Sequence, residues 1–431
     1  MAMLQDCRLA VLWIVILAVA LSGGCAFAPP TPTPDAVAPT PTAAPAVAAA
    51  PAPRLTAPSP TVEAAVVSDT VGRLEVVTLS ATSLTGNLLG DPIERSLAIY
   101  LPPSYGHSQM RYPVVYFLTG FGDQVTDFIS GAHGFAMPLS LDSLIKRQRI
   151  REMIFVVVSG RNSLGGSFYV NSPVTGRWED FVVKDIVPYV DRHYRTLTHA
   201  RSRGICGHSM GGSGALNLAM RHPDLFGAVY SLSPGLFAED GLTQSQMFGS
   251  PGAIDSFLTF QSALASVPDA EVPRAFGEAM REASARRDWT FIFTCAYGAA
   301  FAPAPKNRLP HLAYPYRRVD GQAVRIPEIW AKWEQGFGGL PGRIEKHRGD
   351  WRRMKAIVID YGTQDEYPWI PKGCEYFSRL LDAAGIAHQS VTFAGGHEDH
   401  LGERMQEYML PFLSDVLEPG DRGVVLDSGD N

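Results

Sequence analysis

Residues 204–221 carry the tightest constraint in the chain. An apolar run ending at Cys206 enters Gly207-His208-Ser209-Met210-Gly211 and emerges as helical periodicity over Gly212–Arg221, with Ala215, Leu216, Leu218 and Ala219 on the repeat. A strand can turn into a helix within so few residues only where glycines remove the Cβ atoms that would collide. The serine between them is then held at the tip of the turn with its hydroxyl exposed. The helix N-terminus behind it favours negative charge developing there. G-x-S-x-G is a short pattern, and the strand before it and helix after it are the setting it requires.

The rest of the chain supplies a sheet for that turn. Short apolar or β-branched runs recur at Leu74–Leu79, Ser96–Leu101, Val114–Leu118, Met153–Ser159, Gly204–Cys206, Ala228–Leu232, Ala356–Asp360 and Ser390–Phe393. Several are continuously apolar, as strands covered on both faces are. Helical segments at Trp178–Tyr194, Gly212–Arg221, Cys374–Ala384 and Glu403–Leu417 separate the later ones. The expected fold class is α/β: an α/β-hydrolase fold, with a mostly parallel central sheet and helices on both faces. Residues 236–349 break the rhythm with weak periodicity, repeated Pro and many aromatics, as in Tyr314-Pro315-Tyr316 and Trp330-Ala331-Lys332-Trp333. We read them as a lid-like insertion over one end of the sheet, ahead of the acid-bearing strand. The domain is expected to occupy 71–418, followed by a tail at 419–431.

The first 70 residues read differently. Leu9–Leu21 is an unbroken apolar run that ends in Ser22-Gly23-Gly24-Cys25. It suits a secretory signal better than a membrane span, which needs about 20 residues. Residues 1–25 are therefore expected to be a signal with a lipobox, Cys25 becoming the lipidated N-terminus of an extracytoplasmic protein. Residues 26–70, dominated by Pro, Ala and Thr, are a disordered tether that cannot bury a core. Membrane contact is expected only through the anchor. With Cys7 and Cys25 set aside, Cys206 falls on a buried strand, which leaves Cys295 and Cys374 as the pair able to bridge. A net charge of −6 without any cluster of Lys and Arg argues against nucleic acid. No Cys/His spacing suggests a metal, and no cofactor is expected.

A serine hydroxyl needs a base to become a nucleophile, and that base needs an acid to fix its tautomer. In this fold class the order is Ser, acid, His. His397, behind Phe393-Ala394-Gly395-Gly396, is the candidate base, with His400 its rival. Asp365 follows the strand Ala356–Asp360 and is the candidate acid, with Asp360 and Glu366 as alternatives. An oxyanion needs two backbone N–H donors. Met210, after the serine, supplies one, and the loop Thr119-Gly120-Phe121-Gly122-Asp123 supplies the other, from Phe121 first and Gly122 next. Gly120, Gly122 and His208 are expected to border the bound substrate, although in a regular turn His208 points away from Ser209.

With these residues placed, the chain resembles the esterase family that includes esterase D and S-formylglutathione hydrolases, feruloyl and acetyl esterases, and the mycolyltransferases. The resemblance covers about residues 75–418. It rests on Tyr100-Leu101-Pro102-Pro103-Ser104-Tyr105 ahead of Tyr112-Pro113-Val114-Val115-Tyr116, the Gly207–Gly212 elbow, His222-Pro223-Asp224-Leu225-Phe226, Gly362-Thr363-Gln364-Asp365 and Gly395-Gly396-His397. It implies a carboxylic-ester hydrolase with the triad at Ser209, Asp365 and His397, acting on a small-molecule or glycan ester. It also implies that Trp178, at a helix start, faces the site. Thr119 stands where many members have His or Asp. Two other functions fit the same residues: a mycolyltransferase-like acyltransferase, and a non-catalytic binding domain on an esterase scaffold.

Overall fold

The computed structural model describes residues 71–420. The expected signal, Cys25, the tether and most of the tail lie outside the described residues. Eight strands form the main sheet: β1 (Arg73–Ser80), β2 (Glu94–Leu101), β3 (Val114–Leu118), β4 (Ile154–Val158), β5 (Arg203–His208), β6 (Ala228–Leu232), β7 (Ala356–Gly362) and β8 (Gln389–Phe393). Their order is β1-β2-β4-β3-β5-β6-β7-β8. β2 runs antiparallel to β1 and β4, and every pairing from β4 through β8 is parallel. This is the expected α/β-hydrolase sheet, with every expected strand present. β3 to β6 are buried along their whole length, which is why they read as continuous apolar runs. β1, at the edge, is nowhere fully buried and largely alternates half-buried with exposed residues.

The parallel arrangement sends β3, β5, β7 and β8 out at one end of the sheet. The loops carrying Phe121, Ser209, Asp365 and His397 therefore share that end, where ligands of open α/β sheets bind. Between β6 and β7 the chain builds helices Pro251–Ala265, Val272–Arg286, Trp289–Phe301, Pro327–Phe337 and Leu340–Lys346, with an exposed hairpin of Tyr316–Val319 and Gln322–Arg325. The weak periodicity there has a physical cause. Trp289–Phe301 is apolar nearly all round and buries Ile292, Cys295, Ala296, Tyr297 and Ala299, so no polar face marks it. Cys206, Cys295 and Cys374 are all free and buried. The Cys295–Cys374 bridge is not formed; the Cys374 thiol meets the carbonyl of Pro234 instead. Burial pushes both thiols above their ordinary range.

Two long helices contain a proline without breaking. In residues 178–193, the π-helical segment Phe181–Ile186 precedes Pro188; in residues 401–416, Met405–Met409 precedes Pro411. A proline cannot donate to the carbonyl four residues back and clashes with it, and a π turn shifts that register. The second helix is tied to the sheet by a buried pair. Asp360 on β7 accepts from Arg404 Nη2 at 2.7 Å, from Arg404 Nε at 3.0 Å and from Tyr230 on β6 at 2.6 Å. The Arg404 guanidinium also lies 3.6 Å from the centre of the Tyr408 ring. Removing one partner of such a pair strands a buried charge. Arg404→Met is expected to cost about 3–5 kcal/mol in urea unfolding, and adding Asp360→Asn to recover most of it.

Candidate functional site

The turn after β5 is as tight as the sequence requires. Ser209 has φ 55° and ψ −115°, a region in which a side-chain-bearing residue is strained. Its N–H is held by the carbonyl of Leu232 at 2.9 Å. A Cβ on Gly211 would lie 2.0 Å from the Leu118 carbonyl oxygen, and one on Gly207 would lie 2.5 Å from the Gly211 carbonyl. The helix begins at Met210, two residues earlier than its apolar periodicity indicates. Ser213, one turn on, donates to the carbonyls of Gly235 and Ser209 and fastens the loop after β6 to the helix.

Ser209, His397 and Asp365 form one hydrogen-bonded line. His397 Nε2 lies 2.8 Å from Ser209 Oγ, and His397 Nδ1 lies 2.7 Å from Asp365 Oδ2. A carboxylate only accepts, so the proton sits on Nδ1 and leaves Nε2 to accept from the serine hydroxyl. Asp365 has no side-chain exposure, and its other oxygen takes the N–H of Tyr367 at 2.8 Å. The Tyr367 ring meets the imidazole edge-on, 5.3 Å between centres. The rivals are engaged elsewhere. His400 is exposed and pairs with Glu403, Asp360 with Arg404 and Tyr230, and Glu366 accepts the backbone N–H of His397 at 2.8 Å.

The loop after β3 separates the candidate donors. Gly120 N–H is taken by Asp123 Oδ2 at 3.0 Å, and Gly122 N–H by the Gly165 carbonyl at 2.9 Å. Phe121 N–H has no acceptor among the described residues. Met210 opens its helix, where an amide has no carbonyl four residues back to meet. Phe121 and Met210 converge on the turn at Gly165–Gly166, since a Cβ on Gly166 would meet both side chains at 2.5 Å. With their N–H groups taken, Gly120 and Gly122 shape the loop, and Gly122, the second-choice donor, is corrected. Tyr169, to which the sequence assigned no role, fixes the loop's base: its buried hydroxyl reaches the carbonyls of Thr119 and Val158. Phe168 and Tyr169 both have positive φ without being glycine.

Two further expectations are corrected. Trp178 is wholly buried and donates to the Thr175 carbonyl, so it packs beneath its helix and presents nothing to a ligand. His208 is also buried, behind His397 rather than beside the substrate, with its Nε2 2.9 Å from the His397 carbonyl. Burial, followed by the neighbouring His397, pushes its pKa down to about 3, so it stays neutral. The insertion reaches the site through Phe293, whose ring centre lies 5.1 Å from that of Phe121. Phe168 joins both and touches Tyr297 and Phe337.

Among the described residues, Asp123, Asp127 and His133 are spaced as metal ligands are, their atoms within 4.8 Å of one another. They already have partners. Asp123 holds Gly120 N–H and His133, and Asp127 caps its helix through Gln124 N–H. The hydrogen bond to Asp123 raises the His133 pKa against the opposing effect of burial. A raised folded-state pKa adds stability below the unfolded value, near 6.5, that is lost as pH rises through the folded value. His133→Gln is therefore expected to lower unfolding free energy more at pH 5.5 than at pH 8.5, by a few tenths to about 1 kcal/mol.

The Esterase family model ("Putative esterase") matches residues 92–292, a span that holds the loop after β3 and the turn at Ser209 and stops before Asp365 and His397. An endo-1,4-beta-xylanase/feruloyl esterase of Xylanibacter ruminicola is 28% identical over 144 residues, 32% of this chain and 19% of that protein. The uncharacterized protein YbbA of Bacillus subtilis is 23% identical over 160 residues, 34% of this chain and 59% of that protein. The chain thus spans less than two thirds of the length of either relative. A solved ferulic acid esterase superposes with a TM-score of 0.52 at 20% identity, covering 81% of this chain and 100% of that one, so the two share a fold. From β2 into the first helices of the insertion, the chain is similar to the Esterase family.

Proposed function

We propose that the protein is a serine carboxylic-ester hydrolase working through an acyl-Ser209 intermediate. The observation that carries this reading is the unbroken line from buried Asp365 through His397 to the Ser209 hydroxyl. His397 Nε2 takes the proton as Ser209 Oγ attacks the ester carbonyl. The negative charge that forms on the carbonyl oxygen is met by the N–H groups of Phe121 and Met210; one such donor contributes roughly 10²–10³ in rate. Collapse of the tetrahedral intermediate expels the alcohol, which receives the proton from His397. Water then attacks the acyl group, His397 now taking the water's proton, and the free acid leaves with Ser209 restored.

The insertion serves, in this reading, as one wall of the substrate cleft. Phe121 belongs to the oxyanion loop and packs on Phe293 and Phe168, so the acyl group would lie against aromatic carbon.

The test is turnover of p-nitrophenyl acetate together with labelling by a fluorophosphonate probe. The wild-type protein should do both, and Ser209→Ala should lose labelling and roughly 10⁴–10⁶ in kcat. Full activity in Ser209→Ala would refute the nucleophile. Predominant transfer of the acetyl group to an added alcohol in water would make the protein an acyltransferase. Failure of both turnover and labelling in the wild type would leave a binding domain. Phe293→Ala should raise KM for aromatic acyl esters several-fold more than for acetyl esters, as expected when an apolar wall is removed.

A further inference from the structure

We propose that His208 and Glu366 are positioning residues that grip the main chain of His397, so that the serine turn and the acid loop each hold the base twice. The inference rests on the reading of His397 as the base of the reaction. Among the described residues His397 has four hydrogen-bond contacts, and they come from two dipeptides. From Asp365-Glu366, the first residue accepts from the imidazole Nδ1 at 2.7 Å and the second accepts from the backbone N–H at 2.8 Å. From His208-Ser209, the second meets the imidazole Nε2 at 2.8 Å and the first reaches the backbone carbonyl at 2.9 Å. Each dipeptide thus addresses one nitrogen of the ring and one backbone polar group of the same residue.

The need for a backbone grip follows from what precedes His397. Gly395-Gly396 is the least restrained backbone a chain can have, and its neighbours lie close around it. A Cβ on Gly396 would lie 2.5 Å from Glu366 Oε1, and one on Gly362 would lie 2.4 Å from the Gly395 carbonyl oxygen. A loop so close-fitting yet so free must be tied from outside. Gln364 N–H ties Gly395, Asp399 ties Gly396, and Glu366 and His208 tie His397 itself.

The chemistry of the two grips differs. A carbonyl only accepts, so His208 must carry its proton on Nε2 and act as donor. Its ring lies 4.9 Å from that of His397. A second cation there would oppose the imidazolium that forms during the reaction, and a neutral ring does not. Glu366 is exposed and acts as an acceptor through Oε2. An amide could replace either function: the oxygen of a glutamine accepts as the carboxylate does, and its NH₂ donates as the imidazole does.

That exchange separates positioning from bulk stability. In the full chain, kcat and KM for p-nitrophenyl acetate and thermal unfolding are measured for Glu366→Ala, Glu366→Gln, His208→Leu and His208→Gln. Glu366→Ala and His208→Leu should each lower kcat roughly tenfold or more with KM within twofold, because a small misplacement of a reacting group is costly. Glu366→Gln and His208→Gln should recover most of that loss. Exposed Glu366 keeps the test open if a His208 variant does not fold. Wild-type kcat in both truncated variants would overturn the proposal, as would glutamine variants no faster than the truncated ones; loss in one arm alone would remove the other residue's role. Failure of the underlying reading has a separate signature, an inactive wild type or a fully active Ser209→Ala, which would remove the grip's purpose as well.

Discussion

The approach of one helix to one strand decides the architecture of this site. The helix Met210–Arg221 packs so close to the end of β3 that Gly211 has no room for a Cβ, its projected position lying 2.0 Å from the Leu118 oxygen. That contact brings the start of the helix against the loop that begins at Thr119. It is also why Ser209 is held at φ 55°, a strained conformation that persists only because its surroundings over-determine it. The amides of Met210 and Phe121 and the hydroxyl of Ser209 are set by one steric fact. Alanine at 211 would push helix and strand apart, shifting Met210 and Ser209 together.

The parallel sheet makes that local turn useful. β7 and β8 leave the sheet at the same end as β5, and each contributes a short loop. The separations along the chain are large, 188 residues between Ser209 and His397 and 32 between Asp365 and His397. Yet the connecting loops are short enough for direct contact. The site therefore needs no flexible reach: Asp365 is anchored by the N–H of Tyr367, and Tyr169 pins the loop after β3 by bonding the Thr119 carbonyl.

Much of this was legible in sequence because the relevant signals are local. Strands buried on both faces read as apolar runs, and β3, β5, β6 and β7 are such strands. The elbow is readable because its glycines are a steric requirement, and Asp365 and His397 because they follow strands in the order the fold demands. Phe121 over Gly122 was not decidable locally; it depends on Gly165, more than 40 residues away, accepting the Gly122 N–H. Trp178 misled because a tryptophan at a helix start looks the same whether it faces solvent or lies in the core. His208 was placed near the substrate, yet its partner is a carbonyl 189 residues further on. The insertion resisted reading because Trp289–Phe301 is apolar all round and has no amphipathic period to detect.

Thr119 shows how a departure from a family pattern can be absorbed. The position is buried, and its side chain makes only long contacts, 3.4 Å to the Asp123 carbonyl and 3.5 Å to the Tyr169 hydroxyl. The loop's shape is set elsewhere: by Asp123 taking Gly120 N–H, by Gly165 taking Gly122 N–H, and by the Tyr169 hydroxyl on the Thr119 carbonyl. All three act through the backbone, which any residue at 119 supplies. The identity of residue 119 can therefore vary while the Phe121 amide stays in place. What cannot vary freely is Tyr169, because its hydroxyl is buried between two carbonyls and its ring fills the space over Gly160 and Gly214.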